Sequence, residues 1–172
     1  TLFLDEIGEM SRSLQAKLLR FLEDGTFVRV GGTEEQRVDV RILAATNRDI
    51  IDAIETGDFR EDLYHRLNVV QLRVAPLRDR DGDVTLLAEH FLSGFARKMN
   101  KQFQPLSSEV RHMLNTHHWP GNVRELRNTI ERAVILATSD VIHPVNLPDF
   151  RLETRLRKED DLGISYEGLA LE

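Results

Sequence analysis

Two short apolar runs each end in a pair of polar residues, and this feature constrains the fold more than any other. Leu2-Phe3-Leu4 runs into Asp5-Glu6, and Ile42-Leu43-Ala44-Ala45 runs into Thr46-Asn47. Short unbroken apolar runs fit strands buried on both faces, which occur in parallel sheets covered by helices. Between the two runs, Leu14, Leu18, Phe21 and Leu22 recur at helical spacing, with Ser13 placed to cap the helix and Gly25 to stop it. Thr26–Val30 and Arg37–Arg41 alternate around the turn Gly31-Gly32-Thr33-Glu34-Glu35, which predicts a hairpin with a polar tip. Ile50, Ile51 and Ile54 predict a short helix ending at Gly57, Phe59–Leu67 a further one, and Val69–Val74 a third core strand. Buried strands alternating with helices predict an α/β unit with a parallel sheet over residues 1–75.

After Pro76 the strand pattern stops. Asp83 is placed to cap a helix bearing Leu86, Leu87, His90, Phe91 and Phe95. Ser107 or Ser108 caps another with Val110, Met113 and Leu114. Asn122 caps a third, with Glu125 in the capping-box position and Val123, Leu126, Ile130, Val134 and Ala137 along one face. These three helices predict a small all-α unit over 76–148. Residues 149–172 have mixed charge and little periodicity, as a linker does.

Composition narrows the class. The chain has 172 residues, enough for one domain or two small units, and 41% of them are hydrophobic. It has no cysteine, which rules out a disulfide scaffold and Cys-based zinc sites and is in keeping with a cytoplasmic location. No apolar run approaches the ~20 residues of a membrane span. The net charge of −6 argues against a stand-alone nucleic-acid binder. The six histidines form no H-E-x-x-H pattern, so they read as core or surface residues and not as metal ligands.

The polar strand ends carry the chemistry. In open α/β sheets, ligands sit beyond the carboxyl ends of the strands. An apolar strand ending in Asp-Glu suits a magnesium ion, held by Asp5, and a water activated by Glu6. Thr46 and Asn47 suit hydrogen bonding to a terminal phosphate. The plainer reading is that Asp5 and Glu6 open a surface loop. A G-x-x-x-x-G-K-[ST] phosphate loop would precede such a strand, and that spacing occurs nowhere in these residues. Arg60 and Arg66 in FREDLYHRL read either as arginine fingers or as surface partners of Glu61 and Asp62. Six residues of helix rotate by ~600°, leaving the two about 120° apart unless Arg60 lies before the helix. Arg124 falls in the first turn of its helix, where a cation gains nothing from the helix dipole. It therefore points either to an external phosphate or to an ion pair with Glu125 or Glu131.

The order of these segments is more specific than any one of them. LFLDEIGEM, LLRFLEDGTFVRVGG, VDVRILAATN, FREDLYHRLNVV, PLRDR and WPGNVREL together resemble the AAA+ domain of bacterial sigma-54-dependent transcriptional activators, over about residues 1–148. The resemblance implies a P-loop NTPase core fragment, its N-terminal part missing, followed by a helical lid. It implies a ring-forming ATPase, usually a hexamer, that uses ATP and Mg²⁺ to remodel the closed complex of sigma-54 RNA polymerase. In that scheme Asp5 and Glu6 form the Walker B pair, and Thr46 and Asn47 form sensor I. Arg60 and Arg66 reach the neighbouring subunit's nucleotide, and Arg124 is sensor II. The hairpin tip at residues 29–36 matches the second pore-side loop. The Walker A loop, the G-A-F-T-G-A loop and the DNA-binding helix-turn-helix domain of the family are not found in these residues, so the isolated chain is expected to be inactive. The competing readings are another AAA+ remodeller, and a helix-turn-helix regulator that binds DNA through helices within 107–137.

Overall fold

The computed structural model describes residues 1–150. The chain divides into two compact units, Thr1–Arg73 and a second from Val74 onward. In chain order the first contains β1 (Leu2–Leu4), α1 (Arg12–Asp24), β2 (Thr26–Val28), β3 (Glu35–Arg37), β4 (Ile42–Ala44), α2 (Ile50–Glu55) and α3 (Glu61–Leu67). The second contains α4 (Asp83–Lys98), α5 (Ser108–Thr116) and α6 (Asn122–Leu136).

β1 and β4 are parallel neighbours, with Leu2 opposite Ile42, Phe3 opposite Leu43 and Leu4 opposite Ala44. The ladder continues past the strand ends, where Ala45 N–H donates to Leu4 C=O at 2.8 Å and Ile7 N–H to Ala45 C=O at 3.0 Å. The predicted parallel α/β arrangement is therefore present, but the two strands are not buried as expected: Phe3 and Leu43 are 59% and 42% exposed, because no further described strand or helix covers them. The hairpin is present too, with Thr26 opposite Arg37 and Val28 opposite Glu35. Its return strand is Glu35–Arg37, earlier than the expected residues 37–41, and one further bond, Val38 N–H to Gly25 C=O at 3.0 Å, extends the pairing.

The expected third core strand is absent. Residues 69–74 form no ladder among the described residues, and Val69 and Leu72 are 82% and 83% exposed. An apolar run becomes a strand only where another strand offers its N–H and C=O groups, and no described strand does so here.

In the first unit, Ile7, Ala53, Phe59 and Leu63 form a small buried cluster, with Leu18, Leu19 and Leu22 of α1 packed against it. α1 ends as expected, with Gly25 at φ 69°. It starts from Ser11, not Ser13, since Gln15 N–H donates back to Ser11 C=O. In the second unit a larger core gathers Leu92 and Phe95 of α4, Val110 and Leu114 of α5, and Leu126, Ile130 and Val134 of α6 around Trp119. α4 turns inward a face that overlaps the expected one: Phe95 is buried and Leu87 and Phe91 pack against the core, while Leu86 and His90 are exposed. Val84, Ala88, Leu92 and Ala96 are also buried, and α4 packs chiefly against α6. Ser107 caps α5 by accepting from Val110 N–H. The other expected caps shift by one residue: Gly82 precedes α4 and Gly121 precedes α6. Asn122 sits at φ 50°, and its Oδ1 accepts from Leu77 N–H at 2.8 Å, tying α6 to the start of the unit. No described helix is long and apolar enough to cross a membrane.

Candidate active site

The parallel register brings the two polar strand ends to one edge. Asp5 and Glu6 leave β1, and Thr46 and Asn47 leave β4, in the same direction from adjacent strands. All four residues are exposed. Asp5 Oδ1 accepts from Glu6 N–H at 3.0 Å, and Glu6 is held in the left-handed region at φ 53°. A non-glycine residue there is uncommon, and such backbone tends to persist at functional turns where the surroundings enforce it. Ile7, the next residue, provides that anchor through its bond to Ala45 C=O and its burial in the small core.

The two strand ends are locked together just beyond the edge. Gly8 is buried so tightly that a Cβ would stand 2.7 Å from Thr46 Oγ1. Only glycine leaves the Thr46 hydroxyl in place, where it accepts from Arg48 N–H at 3.1 Å. Arg48 Nη1 donates to Gly8 C=O at 3.0 Å, and its guanidinium pairs with Glu9 and Asp58. Sequence reasoning missed Gly8 and Arg48. The adjacency of LDEIGE to a strand ending TNR was the available signal.

Arg60 is the residue before α3, with an extended backbone, so the condition for it to escape the helical rotation relative to Arg66 is met. Its guanidinium holds Asp62 through two bonds of 2.9 and 2.6 Å. The hydrogen bond to Asp62, then its charge, raises the Arg60 pKa, and the same hydrogen bond lowers that of Asp62. Arg66, in the last turn of α3, donates to Leu22 C=O through Nη2 at 3.1 Å. The two arginines are thus held by different partners at opposite ends of one short helix. A third residue, Gln15 of α1, was not foreseen at all. It is fully buried and bonds the backbone of Arg60.

Arg124 lies in the second unit, in the first turn of α6. It is exposed, and among the described residues it has no ion-pair partner. The expected alternative of a pair with Glu125 does not occur. Glu125 instead bonds His117 Nε2 at 3.0 Å and accepts from Gly121 N–H at 2.7 Å. Arg124 lines an open groove with Asn128, Thr129, Arg132 and Pro148.

Residues 1–73 match the Sigma-54 interaction domain family, and residues 78–162 match the AAA+ ATPase lid domain family. The chain belongs to the AAA+ domain family of sigma-54-dependent activators. The nitrogen fixation protein AnfA of Azotobacter vinelandii is 52% identical over 97% of this chain and 31% of its own length. The regulatory protein AtoC of Escherichia coli K12 is 49% identical over 86% of this chain and 32% of its own. The crystal structure of Brucella abortus NtrX in complex with ATP aligns with a TM-score of 0.76 and 37% identity, covering 94% of this chain and 40% of NtrX. This AAA+ chain spans about a third of the length of the curated relatives it matches. Within the family match, the helices of residues 107–137 fall in the AAA+ lid.

Proposed function

We propose that this AAA+ chain provides the water-activating, phosphate-sensing and lid segments of an ATP hydrolase that works as a ring, in trans between subunits, to remodel sigma-54 RNA polymerase and activate transcription at promoters bound through a separate DNA-binding domain. One observation carries the reading: β1 and β4 are parallel neighbours, so Asp5-Glu6 and Thr46-Asn47 stand side by side at the carboxyl edge of the sheet. Ligands of open α/β sheets sit at that edge.

The donor set fits the nucleotide's metal. Asp5 is exposed, in no ion pair among the described residues, and uses only Oδ1 internally. Magnesium takes one or two protein carboxylates and fills its octahedron with phosphate oxygens and water. ATP with Mg²⁺ would supply the polarised terminal phosphate. Asp5 would hold the ion, and Glu6 would take the proton of the attacking water. The Thr46 hydroxyl and Asn47 amide would hydrogen-bond the terminal phosphate. Arg60 and Arg66 would neutralise charge developing at the neighbouring subunit's phosphate, and Arg124 would do so from the lid. Arg60 must exchange Asp62 for that phosphate, a swap of one bidentate oxyanion for another that its planar fork accommodates.

The test is Glu6→Gln in the full-length protein. ATP binding is retained and hydrolysis falls by about 10²–10⁴-fold, the contribution of a positioned acid–base group. Hydrolysis at the wild-type rate removes Glu6 from the reaction. The 172-residue chain by itself, which contains no G-x-x-x-x-G-K-[ST] sequence, hydrolyses ATP negligibly. Magnesium-dependent turnover by that chain would refute this.

A further inference from the structure

Gln15 is a fully buried polar side chain on an otherwise amphipathic helix, and two of its three bonds are long-range. Its Nε2 donates to Met10 C=O and to Asp58 C=O, each at 2.8 Å. Its Oε1 accepts from Arg60 N–H at 2.9 Å. The amide orientation is fixed by these partners, since a flipped amide would set its oxygen against two carbonyls. One side chain therefore joins the loop four residues after Glu6 to the backbone of Arg60. None of these bonds involves a backbone group of α1, so the helix itself does not depend on them.

We infer that Gln15 is a positioning residue that fixes the Arg60 backbone relative to the loop following Asp5-Glu6, so that the state of a subunit's own site sets how it presents Arg60 to its neighbour. The inference rests on the assignment of Arg60 to the neighbouring subunit's phosphate. The two ends differ in how firmly they are held. The Met10 end is continuous with Ile7 and Gly8, which are buried and bonded to Ala45 and by Arg48. The Arg60 side chain is partly exposed and parked on Asp62. A shift of the Ile7–Met10 loop thus moves the arginine end, and Gln15 is the side chain that bonds both the Met10 and the Arg60 backbone. The Phe59 N–H bond to Ala53 C=O holds the same turn to α2 without touching the Glu6 loop. Arg48 also bridges from Gly8 and Glu9 to Asp58, but through a carboxylate at 3.9 Å and without a bond to the Arg60 backbone, so it is the looser of the two links.

Mixed assemblies of the full-length protein test this. A Gln15→Met subunit keeps its own Glu6 but presents a misplaced Arg60, while a Glu6→Gln subunit lacks its base but presents a well-placed Arg60. Gln15→Met alone loses kcat, on the order of 10²-fold for an arginine misplaced by about 1 Å, with KM for ATP nearly unchanged. Mixing it with Glu6→Gln restores turnover above either variant alone, because the Glu6→Gln subunit lends its arginine. The control mixture is Arg60→Ala with Glu6→Gln. If that control fails to recover, the trans assignment of Arg60 is wrong. If the control recovers and the Gln15→Met mixture does not, Gln15 serves only its own subunit and the inference is overturned. If Gln15→Met does not fold, Gln15→Glu carries the test. Its ionised carboxylate repels the Met10 and Asp58 carbonyls, and protonation restores a donor. Its loss of kcat, recoverable in the same mixture, therefore shrinks as pH falls, and a defect independent of pH overturns the inference.

Discussion

The two units of this chain solve opposite problems. From Val74 onward, three helices bury Trp119, Leu114, Leu126, Ile130, Val110 and Val134 completely, and the indole N–H reaches Leu114 C=O at 2.8 Å. The polar groups of this unit mostly fasten helices to one another, as Asn122 does to Leu77 and Glu89 to Leu106 and Arg111. In the first unit the buried cluster is four residues, while Phe3 of β1 is 59% exposed and Leu43 of β4 is 42% exposed. Two of its bonded polar side chains, Gln15 and Arg48, together with the close-packed Gly8, hold the segments that carry Asp5, Glu6, Thr46 and Arg60. Packing density gives the lid its stability. In the α/β unit a few hydrogen bonds hold the reactive edge in shape.

If that contrast is right, the largest stability effect belongs to the lid. Trp119→Ala removes a fully buried indole and costs about 3–5 kcal/mol. Denaturant unfolding followed by circular dichroism reads this as an early loss of helix, and a loss below about 1 kcal/mol would show that the lid core collapses onto the gap. A smaller effect follows from Leu63→Ala, about 2–3 kcal/mol, since its small cluster can relax around the vacancy. The chain has one tryptophan, so fluorescence reports the lid alone. The Leu63→Ala transition by fluorescence coincides with wild type, and a matching shift there would mean that the two units unfold as one. Next comes Asn122→Ala, which strands the Leu77 N–H in a part-buried position for about 1–3 kcal/mol. Asn122→Asp, which keeps the acceptor, recovers most of it.

The paired charges at Arg60 give a finer test. Arg60 holds the Asp62 carboxyl below its usual range, mainly by hydrogen bonding. A depressed folded pKa means that this contribution is present above the unfolded value, about 3.9, and is lost as pH falls through the lower folded one. The pair is thus intact throughout neutral pH. Titrating the Asp62 carboxyl carbon by NMR gives a midpoint below that of an unperturbed aspartate, and Arg60→Ala moves it back up. An unchanged midpoint in Arg60→Ala would mean that the Leu63 N–H alone holds the carboxylate.

Sequence and structure part company where long-range bonds decide. β1 and β4 were legible because an unbroken apolar run followed by a polar pair needs no partner to be recognised. α6 was legible because Leu126, Ile130 and Val134 keep strict spacing, and all three are buried. Residues 69–74 carry the same apolar signal yet pair with nothing described, since a ladder is a property of two strands. Asn122 was legible as a polar residue at a helix start. Its true partner lies 45 residues away, which no local rule reaches. Gln15 was invisible for the same reason: within its helix it is one polar residue among several, and only the fold brings Met10, Asp58 and Arg60 to it.

Arg124 sharpens the contrast most, because it is a functional candidate set in the unit built for stability. It is exposed, lacks an ion-pair partner among the described residues, and stands in the first turn of α6, where its charge opposes the helix dipole. Among the described residues the fold therefore gains no ion pair from its charge. A ligand shifts a conformational equilibrium only through contacts that differ between states, and a lid arginine on the terminal phosphates would be such a contact. In the full-length protein, Arg124→Ala leaves the melting temperature without nucleotide nearly unchanged, within the roughly 0.5 kcal/mol of an ordinary surface substitution. It removes most of the added stability conferred by an ATP analogue and weakens hydrolysis. Thermal unfolding with and without the analogue, beside wild type, separates the two roles. A large drop without nucleotide would make Arg124 part of the lid's own scaffold, and the division between a stabilising unit and a reactive edge would no longer hold at this residue.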